Sequence, residues 1–108
     1  MGLDIDIKKI SMDLDEQVIQ DRAYFKNNYL LYAAILNIDG KSNLIGHWPD
    51  TYETYLSKQR LKEAISIISQ WQVFMRDGTI KKYEDIVNIL YPAIEKDDSN
   101  SNYYIFIN

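Results

Sequence analysis

With 108 residues, 46% hydrophobic, 26% charged and no cysteine, the chain has the size and composition of a single compact domain over 1–108. This argues against a multidomain enzyme and a mostly disordered chain, and it removes disulfides, thiolate nucleophiles and cysteine-based metal centres. Sixteen Asp and Glu against twelve Lys and Arg give a net charge of −4, which disfavours nucleic acid and anionic membranes as partners and favours basic proteins.

Leu3, Ile5 and Ile7 alternate with Asp4, Asp6 and Lys8, the period-two pattern of a strand with one buried face. Asp13 and Glu16 have the spacing of an acidic capping box, so a helix is expected from about Leu14. Its stripe is Leu14, Val18, Phe25, Tyr29, Tyr32 and Leu36. From Tyr29 to Leu36 the chain is apolar on every side, and Ala33-Ala34 favour helix there. Asp39-Gly40 followed by Leu44-Ile45 leaves a hairpin over about 29–46 as the alternative. Residues 37–50 read as the longest connection.

Asp50 and Glu53 repeat the capping spacing before Tyr52, Tyr55 and Leu56, which predicts a second helical start. From Ser57 to Arg76 the positions Leu61, Ala64, Ile65, Ile68, Trp71, Phe74 and Met75 mark the clearest helix, closed by Asp77-Gly78. A third helix of about ten residues carries Tyr83, Ile86, Val87, Leu90 and Tyr91 until Pro92 breaks or kinks it. After the polar stretch Asp97–Asn102, Tyr103–Ile107 is apolar on both faces, as in an interior strand. The expected fold is therefore α+β: a small sheet built from the N- and C-terminal strands, with that hairpin as an optional addition, packed against about three helices.

Several chemistries lack their parts. His47 is the only histidine, so a structural zinc site has too few ligands, and no G-x-S-x-G elbow is present. The glycines at 2, 40, 46 and 78 are too widely spaced for a phosphate-cradling loop. Asp4 and Asp6 share a strand face, where surface carboxylates are a better reading than a divalent-ion site. No catalytic residue, metal or cofactor is expected, and Lys58, Arg60, Lys62, Lys81 and Lys82 are too few for a phosphate-binding surface.

Charge and aromatics supply the one positive indication. Residues 1–21 carry six acids and two bases, 22–83 five acids and nine bases, and 84–108 five acids and one base. Two acidic ends meeting in one sheet would form a negative face. Nine Tyr, two Trp and three Phe add candidate contact area, of the kind protein-binding surfaces enrich. The expected contacts are Asp4, Asp6, Asp97 and Asp98 with Tyr104 as anchor, and a second surface of Trp48, Tyr52 and Glu53. Sixteen Ile against three Val indicate AT-rich coding, and the absence of cysteine or a secretion signal fits a bacterial cytoplasmic protein. The expectation is a non-enzymatic binder, an immunity protein that blocks the active-site cleft of a basic toxic nuclease. The alternatives are a phage or mobile-element accessory protein acting on a host protein, and a small enzyme using His47. No motif identifies a family, and both monomer and homodimer remain open.

Overall fold

A computed structural model describes residues 3–45, 51–71 and 76–108. The chain opens with a long hairpin, β1 (Asp4–Asp13) and β2 (Glu16–Lys26). Leu14 and Asp15 join the strands with φ of 51° and 66°, the left-handed pair that matches the twist of a tight two-residue turn. Such angles disfavour a side chain, by about 1 kcal/mol per residue for the general case. The helix expected from Leu14 is thus replaced by a strand. Val18, Ile19, Tyr24 and Phe25 are strand formers, and β1 offers ten pairing positions, from Asp4↔Lys26 to Asp13↔Glu16. The register slips by one between Ile7 and Lys8, leaving Arg22 as the extra residue of a bulge on β2.

Asn27 (φ 57°) turns the chain, and the Asn28 side chain caps the next helix by accepting from the Leu31 N–H at 3.1 Å. This helix, α1 (Tyr29–Ile38), resolves 29–38 as helix rather than hairpin and buries Leu31, Tyr32, Ala34, Ile35 and Leu36. A single 3-10 turn, Ser42–Leu44, follows. The helical start expected near Glu53 is instead β3 (Tyr52–Ser57), because Leu56 turns into the core while Glu53 and Tyr55 face out. Helix α2 (Lys58–Gln70) begins only at Ser57, whose Oγ accepts from the Arg60 N–H at 3.2 Å. It buries Leu61, Ala64, Ile65 and Ile68, as its periodicity predicts. The remainder of the expected 57–76 helix includes Phe74 and Met75, which lie outside the described residues.

Asp77-Gly78 do not close a helix but open one, α3 (Asp77–Asp85). Pro92 does not break it either. The rod widens into a π-helical turn over Ile86–Leu90, with the Tyr91 N–H reaching the Ile86 carbonyl, and runs on through Tyr91–Glu95. The wide turn gives room to the proline ring, which would otherwise meet the carbonyl four residues back. The chain ends in β4 (Asn102–Ile107), as expected an interior strand.

The four strands form one antiparallel sheet in the order β2-β1-β4-β3. Leu3, Ile5, Ile7, Phe25, Leu56, Tyr103, Ile105 and Ile107 face one side, where they join the buried residues of the helices in a single core. The α+β expectation holds. Among the described residues no helix is long and apolar enough to cross a membrane.

Candidate functional site

Alternation that sends Ile5, Ile7, Ile105 and Ile107 into the core sends their neighbours to the other side of the sheet. The pairing registers place these outward residues in rows. One row runs Tyr24, Asp6, Phe106, Glu53 across β2, β1, β4 and β3; the next runs Asp21, Lys8, Tyr104, Tyr55. Asp4 and Lys26 border the first row, and Ile19, Ile10, Asn102 and Ser57 border the second. Strands about 4.8 Å apart put Asp6 and Glu53, two strands removed, about 10 Å from each other, beyond the roughly 8 Å screening length at physiological salt, so they act as one negative field only at low salt.

Three of the aromatics form a continuous band. The Tyr55 and Tyr104 ring centroids are 5.2 Å apart, and those of Tyr104 and Phe106 6.5 Å apart. Tyr55 is 67% exposed and Tyr24 54%. Two of these phenols are held by carboxylates: the Tyr104 hydroxyl donates to Glu53 at 2.6 Å and the Tyr24 hydroxyl to Asp4 at 2.5 Å. The bond to Glu53, with some desolvation, pushes the Tyr104 phenol up to about 12, and the bond to Asp4 raises Tyr24 likewise. Both tyrosines are therefore neutral donors at physiological pH, and the negative charge of the face resides on its carboxylates.

The expected site residues are divided by this arrangement. Asp4, Asp6, Tyr104 and Glu53 share the face of the sheet opposite the core, so Glu53 of the second expected surface joins the first. Tyr52 pairs with Ile107 on the core side, and its hydroxyl donates to the Asp39 carboxylate. Trp48 and His47 lie outside the described residues. The convergence expected of head and tail acids fails for Asp97, whose side chain is only 4% exposed. Arg22 binds it in a fork, Nη2 at 2.8 Å and Nε at 3.0 Å, while Tyr103 donates at 2.6 Å and Lys9 approaches to 3.3 Å. Burial alone would raise this carboxyl, but the bonds from Arg22, Tyr103 and Lys9 outweigh it and hold Asp97 at about 2. It is a structural lock between sheet and C-terminal loop.

Asp98 is exposed and borders a groove of about 500 Å³ lined by Ile10, Met12, Tyr55, Asn100 and Asn102 among others. That groove adjoins the outer face at Tyr55, at the end of the sheet away from Asp4. Sequence reasoning left Tyr24, Phe106, Tyr55 and Asp21 off the expected contacts. Phe106 was legible, since it alternates with Ile105 and Ile107; Tyr24 was hidden by the helical reading of β2.

Several cations of the basic middle hold internal partners. Lys58 Nζ donates to the Asp97 carbonyl at 2.7 Å, Arg60 to the Ile38 carbonyl at 2.6 Å, and Lys82 to the Asn27 carbonyl at 2.6 Å. Lys62 pairs with Glu95 at 2.6 Å. Among the described residues no group of three or more His, Cys, Asp or Glu could hold a metal ion. No family model matches the chain, and neither a curated protein nor a solved structure is significantly similar to it.

Proposed function

We propose that the chain is a non-enzymatic binding protein that neutralises a basic protein, as a bacterial immunity protein does a toxic nuclease, by laying its outer sheet face over the target's cationic cleft. The observation that carries this reading is the juxtaposition of Tyr24, Phe106, Tyr104 and Tyr55 with Asp4, Asp6, Glu53 and Asp21 on one side of a sheet whose other side is core. Aromatic rings supply contact area at low entropy cost, and the carboxylates steer a cationic partner toward it. The net charge of −4 opposes attraction to a phosphate backbone.

The test is co-expression with the product of the adjacent reading frame, followed by nuclease assay and binding at two salt concentrations. A complex that suppresses nuclease activity is expected. Tyr55→Ala and Tyr104→Ala should each weaken it by about 2 kcal/mol, roughly 30-fold, as anchors at the centre of an interface do. Asp6→Lys with Glu53→Lys should slow association and flatten its dependence on salt. Undiminished nuclease activity in the presence of the wild-type chain would refute the reading.

A further inference from the structure

β4 accompanies β1 only as far as Ile10, which pairs with Asn102, whereas the β1–β2 ladder continues through Ser11↔Val18 and Met12↔Gln17 to Asp13↔Glu16. The end of the hairpin thus overhangs the sheet. On it stand Leu14, 92% exposed, and Met12, 69%, with Ile19, 57% exposed, at its base. None belongs to the core, so folding does not account for them. Leu14 is misplaced on two counts. A turn residue at φ 51° is normally glycine or asparagine, and a leucine at the apex has no apolar surface to cover. A residue that local turn chemistry and burial both reject marks a functional or strained position.

The chemistry of that molecule follows from the surroundings. From Ile10 to Asp21 the chain carries Asp13, Asp15, Glu16 and Asp21 and no base. Asp21 has Lys8 at 3.8 Å, but among the described residues Asp13, Asp15 and Glu16 enter no ion pair. An anionic membrane, nucleic acid or the same apex of a second copy would be repelled. We infer that the hairpin apex is a prong: Leu14 seats in an apolar socket on the partner, ringed by lysine or arginine side chains that meet Asp13, Asp15 and Glu16. This rests on the reading that the partner is a basic protein, and it adds a contact beyond the outer face. The row of Ile10 and Ile19 adjoins that face, so one partner can cover both.

The experiment uses the full chain and, as probe, the proteins of the native host retained on a carboxymethyl exchanger at neutral pH and low salt. A benzophenone amino acid is placed at position 14 and, for control, at the exposed position 96. The expected result is a basic protein crosslinked from position 14 and not from 96, with binding weakened at least tenfold by Leu14→Asn. Because asparagine and glycine suit the left-handed turn, Leu14→Asn and Leu14→Gly should unfold at the same temperature as the wild type or higher, which separates lost contact from lost fold. Unchanged binding by both Leu14 variants, with loss on Tyr55→Ala and Tyr104→Ala, would overturn the prong and leave the sheet-face reading intact. Loss on the Leu14 variants alone would support the prong and overturn the sheet face as the site. Crosslinking only to an acidic protein or a second copy, or no salt-sensitive binding by the wild type, would overturn the prong together with its basic partner.

Discussion

Asp97→Asn is expected to lower the unfolding free energy by about 3 kcal/mol, measured by urea titration at neutral pH. The substitution keeps the shape of the side chain and removes the charge that Arg22 and Lys9 share. Deleting one partner of a buried ion pair costs about 3–5 kcal/mol because the others stay desolvated without compensation. The side chains of Lys9 and Arg22 are 17% and 20% exposed, which sets the expectation at the lower end. A pH dependence accompanies it. Asp97 is held at about 2 in the folded chain against an ordinary 3.8, so the unfolded chain binds more protons between these values. The stabilisation, about 2 kcal/mol from this shift, is complete above pH 4 and is lost as pH falls toward 2. The acid limb of the wild-type stability curve should therefore flatten in the Asp97→Asn protein; identical limbs would refute the lock.

The second large effect belongs to the centre of the sheet. Ile105 lies between Ile7 and Thr54 on the core side of β4 and has no solvent exposure. Ile105→Ala should cost about 3 kcal/mol, the lost burial plus the cavity it leaves in a layer pinned by strands on both sides. A domain of this size has a total stability of about 5–10 kcal/mol, so one truncation removes a large part of it. Equilibrium unfolding with an unchanged m-value would confirm that the loss is in packing. A change below 1 kcal/mol would mean that the sheet is not the rigid layer described.

How far the sequence anticipated this molecule depends on where local signals agreed with long-range pairing. β1 and α2 were legible because their periods are clean, and β4 because an unbroken run of strand formers, Tyr103–Ile107, follows a polar stretch. β2 was read as helix for a specific reason. Val18 and Phe25 are seven residues apart, which suits one stripe of a helix and, in a regular strand, would place them on opposite faces. The bulge at Arg22 absorbs one residue and returns both to the core side, so an irregular strand imitated a heptad. The same bulge turns Arg22 inward to Asp97, the contact that removed Asp97 from the expected binding surface. β3 was missed because Asp50 and Glu53 imitate a cap; only pairing with β4 reveals that Glu53 and Tyr55 belong to the outer face. The outer face was thus half anticipated, through Asp4, Asp6, Glu53 and Tyr104, and completed by Tyr24, Asp21, Phe106 and Tyr55.

The wide turn at Ile86–Leu90 also bears on how the length of this chain can vary. A π-helical turn is an α-helical one with a residue inserted, and here the insertion and Pro92 depend on each other. Removing Asn88, which is exposed, would restore the ordinary helical repeat but drive the proline ring into the carbonyl four residues back. The deletion alone should lower the melting temperature, and the deletion combined with Pro92→Ala should recover it. A homologue one residue shorter in this helix is then expected to have lost its proline as well, a paired change in length and composition that marks the insertion as an event with a history.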